Sequence, residues 1–253
     1  MLFTSSCFVF IYLPVVFSIF FGVGAFSPRN AAGWLFIASV FFYGYWMPEF
    51  TFLLVSSIIW NYLVGIRISK LLANIQTMGL PSEVKQHARK WLILGIAVNL
   101  TLLGYFKYAN FLMDNWLYLS HQHWEFERVV LPIGISFFTF TQIAFLMDTY
   151  QKGIHEYQFI HYGLFVTYFP HLIAGPVLHH SQMMPQFRDP KTYKVNKTNI
   201  AVGLTIFVIG LFKKVVLADG ISPFADAIFN ASDSGIIPTF NEAWIGSLAY
   251  TFQ

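Results

Sequence analysis

Seven stretches of this sequence carry no Asp, Glu, Lys or Arg: residues 1–28, 30–48, 50–66, 91–106, 129–147, 157–187 and 198–212. A hydrocarbon core about 30 Å thick is crossed by roughly 20 helical residues, with a working range of about 17–25. Several of the stretches have that length. The shortest gain a turn when flanking Lys or Arg side chains snorkel to the interface. Charged residues are 11% of the 253-residue chain and hydrophobic ones 56%, whereas an ordinary soluble domain is about 25% charged. No single soluble core would supply so many uncharged runs. The pattern predicts an all-α polytopic membrane protein with about six or seven spans.

Helical spans are predicted near residues 3–25, 31–47, 50–66, 91–110, 129–147 and 199–217. Tyr43, Tyr45, Trp46, Trp91, Trp116, Tyr118 and Trp124 fall near their ends, where amphipathic rings favour the headgroup zone. The opening run lacks a basic n-region and is too long for a signal-peptide core, so it reads as an uncleaved first span. The single Cys7 excludes an intramolecular disulfide or a thiol-based metal cluster and reads as packing. A net charge of +3 does not point to nucleic acid.

Residues 67–90 hold Arg67, Lys70, Lys85, Arg89 and Lys90 against Glu83, while 111–128 hold Asp114, Glu125 and Glu127 against Arg128. By the positive-inside rule the first segment is cytoplasmic and the second lies across the membrane. The segment 148–198, with Lys152, Arg188, Lys191, Lys194 and Lys197, returns to the cytoplasmic side.

Between those last charges, residues 157–187 contain His161, Pro170, His171, Gly175, Pro176, His179, His180 and Pro185. Proline inside a helix frees backbone groups at a cost of about 3 kcal/mol. Broken backbone at membrane depth persists only when buried in protein or lining a wet cavity. With both flanks cytoplasmic, this is a predicted re-entrant segment. After Glu242 the apolar run AWIGSLAYTFQ stops short of a span, so the chain reads as one membrane domain, 1–253, truncated within a further span.

Several polar residues have a structural and a functional reading. In LPIGISFFTFTQIAFLMDTY, from Leu131, the residues Pro132, Gly134, Ser136, Thr139, Thr141 and Gln142 either serve helix packing and local backbone bonding or line a site. Asp148 reads as an interfacial anchor, and so do Lys213 and Lys214. Asn61, Asn99 and Lys107 are predicted to make interhelical bonds. His171 is either functional or donates a hydrogen bond to a carbonyl freed near Pro170. His179 and His180 read as interfacial, and as adjacent residues on a helix they do not face one metal. His121 and His123 beside Glu125 and Glu127 imitate a metal site, but the loop reads as solvated. No metal site is predicted, and no phosphate-binding loop, nucleophile elbow or paired-carboxylate pattern occurs.

Four segments in order carry a family resemblance: MLFTSSCFVFIYLPVVF at the start, VVLPIGISFFTFTQIAFLMDTY, YFPHLIAGPVLHHSQMMPQF from Tyr168 to Phe187, and GLFKKVVLAD from Gly210 to Asp219. Together they resemble the membrane-bound O-acyltransferase family, in its bacterial alginate O-acetylation branch, across the whole chain. The resemblance implies a larger helical ring around a thinned centre, in the bacterial inner membrane. It implies transfer of an acyl group, in this branch acetyl, from a cytoplasmic thioester such as acetyl-CoA to hydroxyls of an extracellular polysaccharide such as alginate. No further cofactor is expected. An extracytoplasmic acetyltransferase or relay protein is the implied partner, alongside membrane lipid and the polysaccharide.

The family's essential histidine lies in a Trp-His pair after an aromatic-Asp-Phe-Ser-Gly stretch. Here LAYTFQ, Leu248 to Gln253, resembles the lead-in to that stretch, so no catalytic residue is assigned and the histidine is expected beyond Gln253. The family pattern admits Gln as often as His at position 171, which argues against a catalytic role there. His171, Ala174, Gly175 and Pro176 are instead the residues expected to line or brace the acyl-donor funnel. The 253-residue chain alone is predicted to be inactive. Two other readings remain at this stage: a transporter or polysaccharide-translocating protein, and a catalytically inactive scaffold. A transporter would show matching interrupted helices in two halves, and one interrupted segment is visible here.

Overall fold

The computed structural model describes residues 3–78, 82–121, 124, 127–153, 156, 158–172, 175 and 180–253. The chain is all-α, and no strand occurs among the described residues. It divides into two compact units, Val16–Lys194 and a second made of Met1–Val15 with Val195–Gln253, the boundary falling within the first helix.

That helix, α1 (Phe8–Gly24), starts with a π turn over Phe8–Tyr12. The next, α2 (Pro28–Trp46), has Pro28 in its first turn, where a missing N–H costs nothing, and Ser27 accepts from the Asn30 amide at 3.4 Å as N-cap. After Met47 comes α3 (Pro48–Met78), with Glu49 in the first turn favouring the positive helix end. It is followed by α4 (Ser82–Ser120) and α5 (Ile135–Lys152). Among the described residues, three helical stretches are long and apolar enough to cross a membrane: Pro48–Ala73, Val84–Ser120 and Lys197–Asp233. The shorter α1 is also apolar. Large apolar side chains such as Phe41 on α2, Phe52 and Leu63 on α3, and Ile93 on α4 are exposed, a surface that suits lipid.

Within Val16–Lys194, α3 packs along α4 and both pack against α5, while α2 packs on the later helix α6 (Phe159–Thr167). Close approach uses small residues, as membrane helix interfaces do. A Cβ at Gly65 would sit 2.6 Å from Phe145 Cε1. The interhelical bonds predicted for Asn61 and Asn99 are present. Asn99 Nδ2 donates to Asn61 Oδ1 at 2.6 Å, and Asn61 Nδ2 donates to Asn99 Oδ1 at 3.2 Å. Asn61 Nδ2 and Ser57 Oγ also donate to Gln142 Oε1, the latter at 3.2 Å, tying α3, α4 and α5 together. Lys107 instead lies over the Tyr108 ring, 5.7 Å from its centroid.

The helices overrun the spans predicted from charge. Residues 67–78 continue α3, 82–90 open α4, and 111–120 complete it. The charge pattern marks where a helix leaves lipid; the helix ends only where backbone chemistry requires it.

The second unit is built around α9 (Lys197–Phe212), which continues through a π turn at Lys213–Ala218 into α10 (Asp219–Asp233). Asn196 caps α9, its Oδ1 accepting from the Thr198 and Asn199 amides. Lys213 and Lys214 do not end the helix: Lys214 Nζ pairs with Asp219 Oδ1 at 2.6 Å along it. The last helix, α11 (Phe240–Phe252), opens on a Thr239–Glu242 capping box and lies against α10.

Candidate functional site

The uncharged run 157–187 is not one helix. It holds α6 (Phe159–Thr167), α7 (Phe169–Leu172) and the start of α8 (His180–Arg188), each far too short to span a bilayer. The first break is at Tyr168, with φ −49° and ψ 108°. Pro170 lacks an amide hydrogen and disfavours helical backbone at the residue before it. A neighbouring helix compensates. Ser39 Oγ of α2 accepts from the Phe169 amide at 3.4 Å while donating to the Leu35 carbonyl at 2.8 Å. The amides of His171 and Leu172 both reach the Tyr168 carbonyl at 3.1 Å.

Of the predicted funnel residues, the structure describes His171 and Gly175; Ala174 and Pro176 lie outside the described residues. His171 and Gly175 line one crevice together with Thr141, Phe137, Phe138 and Val166. It is too narrow to admit a water molecule. Thus the LPIGISFFTFT block and the FPHLIAGP block, remote in sequence, meet at one place. The Gly175 amide donates to the His171 carbonyl at 2.9 Å. A Cβ at position 175 would lie 2.3 Å from His171 Cβ, an impossible contact, so only glycine lets the chain return so close to the imidazole's own backbone.

His171 is buried, and its ring contacts Tyr168 with centroids 5.6 Å apart. Neither ring nitrogen makes a hydrogen bond among the described residues; the Phe165 carbonyl faces the ring without hydrogen-bond geometry.

A second cluster bounds the same segment. The Glu156 side chain is 3% exposed, and Arg188 NH2 donates to its Oε2 at 2.6 Å. The Gln158 amide donates to Oε1 at 3.1 Å. Two imidazoles face the carboxylate, with His180 Nε2 at 3.5 Å from Oε2 and His161 Nδ1 at 4.0 Å from Oε1. Burial pushes the Glu156 carboxyl up, but His180, Arg188 and the Gln158 amide together outweigh it and bring its pKa down to about 2. Tyr62 of α3 feels the same charge.

Sequence reasoning did not single out Glu156. The signal for it was positional: Glu156 and Arg188 are the charges that immediately bracket the uncharged run. His180, expected at the membrane interface, is instead enclosed, its ring 5.3 Å from both Phe145 and Phe165. His179 lies outside the described residues. No group of His, Cys, Asp or Glu arranged to hold a metal occurs among the described residues. His121 is exposed in a turn with φ 53°, while His123 and Glu125 are outside the described residues. Asp148 is buried and pairs with Lys152 at 2.7 Å, one turn along α5.

The profile of MBOAT, the membrane-bound O-acyltransferase family, matches residues 87–251. The chain is 41% identical to the peptidoglycan O-acetyltransferase of Helicobacter pylori, covering 100% of this chain and 50% of that protein. It is 39% identical to the "Probable alginate O-acetylase AlgI" of Pseudomonas aeruginosa, covering 100% and 46%. The corresponding protein of Azotobacter vinelandii is 38% identical, covering 100% and 48%. The chain spans about half the length of these relatives. No solved structure matches it.

Proposed function

Since the chain belongs to the membrane-bound O-acyltransferase family, we propose that it is the N-terminal portion of a multi-pass enzyme of the bacterial inner membrane that acetylates hydroxyls of an extracytoplasmic glycan. The observation that carries this is full-length similarity of the chain to relatives named for O-acetyl transfer, both to alginate and to peptidoglycan. Those names support an acceptor that is a polysaccharide, either an alginate-like exopolysaccharide or a wall glycan.

The reaction would form a bond between an acceptor hydroxyl oxygen and the acyl carbon of a thioester such as acetyl-CoA. The carbon–sulfur bond breaks, and the hydroxyl proton passes by way of a base to the departing thiolate. We assign the base to a histidine outside the 253 residues, and to these residues the shaping of the donor path. His171 and Gly175 sit beside a crevice too narrow for water, so we assign them the bracing of a wall of the donor path and not the passage itself; exclusion of water along such a path protects a thioester from hydrolysis. Ala174 and Pro176 belong to the same proposed path. A soluble extracytoplasmic acetyltransferase or relay protein would take the acetyl group onward.

The test is expression of the full-length protein together with its extracytoplasmic acetyltransferase partner in a host lacking its own O-acetylation, with base-released acetate measured separately from secreted polysaccharide and from purified wall glycan. Acetate is expected in one of the two fractions. Gly175→Ala should lower it by about tenfold or more, because relieving the 2.3 Å contact displaces His171 by about 1 Å or more and misaligns the path. The 253-residue chain alone should release none. Acetate in neither fraction, or unchanged acetate with Gly175→Ala, would overturn the proposal.

A further inference from the structure

We propose that Glu156 and Arg188 are positioning residues: they form a clasp that closes the interrupted segment upon itself and so holds the His171–Gly175 crevice in shape. Its consequence for activity rests on the acyl-transfer reading above. Its consequence for local order does not.

The two residues stand at opposite ends of the segment. Glu156 precedes α6, and Arg188 is the last residue of α8. Everything between them is uncharged. The backbone within is interrupted at Tyr168 and bends at Gly175, so one continuous helix does not transmit order from one end to the other. Bringing the ends of so long a segment together costs entropy, which a direct contact between them offsets. The 2.6 Å contact between Arg188 NH2 and Glu156 Oε2 is such a tie.

The tie is asymmetric. Glu156 is enclosed, with its other oxygen held by the Gln158 amide, whereas the Arg188 side chain is 54% exposed. The guanidinium thus comes from the solvent side to neutralise a carboxylate already fixed in the protein. His180 belongs to the same assembly: it is the first residue of α8, it lies between the rings of Phe145 and Phe165, and its Nε2 faces the same Oε2. His161 of α6 faces Oε1. Both short helices are therefore gathered around one carboxylate, and the crevice lies between them in sequence.

A clasp makes a prediction that generic packing does not. Removing only Arg188 strands a buried carboxylate, whereas removing both charges leaves a neutral amide pair. Arg188→Gln should therefore be worse than Glu156→Gln/Arg188→Gln. Arg188→Lys, which keeps the charge, should be close to wild type.

The experiment uses the full-length protein in membranes, with Cys7 and every further native cysteine replaced by serine as background and a single reporter cysteine at Leu172 (1% exposed) or, as a remote control, at Leu54 (0% exposed). Maleimide labelling rates are measured together with glycan acetylation. Arg188→Gln is expected to raise labelling at position 172 by about tenfold and leave position 54 unchanged. Acetylation should fall in parallel, and both effects should be partly reversed in the double variant. Equal increases at both positions would indicate general loosening and overturn the clasp. So would an unchanged rate at 172, or a double variant worse than Arg188→Gln. If the wild-type protein acetylates no glycan, the functional reading fails while the labelling comparison still decides the clasp.

Discussion

A buried carboxylate is stable as an anion only while its partners outweigh the cost of burial, and Glu156, held by His180, Arg188 and the Gln158 amide, shows what that implies for pH. Its folded pKa of about 2 lies below the ordinary value of 4.5. A depressed carboxylate pKa contributes stability that is fully present above the unfolded value and is lost as pH falls toward the folded one. The window is therefore pH 4.5 to about 2, and the contribution at neutral pH is roughly 3 kcal/mol by linkage. Detergent-solubilised protein should accordingly melt at progressively lower temperature as the pH drops through that window. Glu156→Gln should flatten this part of the profile, and an identical slope in the variant would show that other carboxylates carry the acid sensitivity. This residue was poorly legible in the sequence because it belongs to a short polar run that reads as an exposed connection. Its burial is created by α8 returning from 32 residues away. His171 and Gly175 were more legible, since Pro170 and the small residues after it announce an interruption by local chemistry alone.

At the scale of helices, charge and backbone chemistry give different boundaries, which is why the spans were legible and the helix lengths were not. Lys70, Lys85 and Asp114 tell where a chain meets water, yet all are compatible with helical backbone, so α3 and α4 continue through them. By contrast Ser27, Asn196 and the Thr239–Glu242 pair are capping chemistry, and each stands at an observed helix start. The contacts that join α3, α4 and α5 were legible only as isolated polar residues in apolar runs; their convergence depends on tertiary packing. Bonds of this kind between membrane helices average about 0.6 kcal/mol and reach about 1.7. Asn61 sits between Asn99 and Gln142, so Asn61→Leu should reduce stability by about 1–2 kcal/mol, since it also strands partner amide groups. In a cycle of Asn61→Ala and Asn99→Ala, measured by denaturation in mixed micelles, the coupling should be about 0.6 kcal/mol or more. Coupling of zero would mean that the two amides are not partners in the folded protein.

For the molecule as a whole, α4 turns the charge pattern into a statement about sidedness. Lys85, Arg89 and Lys90 are at its start and Asp114 near its end, on a single helix of 39 residues. At 1.5 Å per residue that helix is about 58 Å long, nearly twice the hydrocarbon thickness. Its two ends cannot share a face of the membrane if its apolar stretch, Val84–Ser120, crosses. The positive-inside rule then puts the Lys85 end in the cytoplasm and the Asp114 end, which pairs with Arg128 at 3.7 Å, outside. If α5, a span predicted from the sequence alone, crosses as well, Lys152 returns to the cytoplasm, together with the lysines at 191 and 194. A donor thioester approaching from the cytoplasm would meet the side on which the interrupted segment begins and ends. Reporter fusions test the chain of reasoning at each step. A fluorescent protein fused after Met78 or Lys194 should fold and fluoresce, and alkaline phosphatase fused after either should be inactive. After His121 the pattern should reverse. Active phosphatase after Lys194 would mean that the interrupted segment crosses the membrane instead of returning, and the proposed donor path would then open on the wrong side.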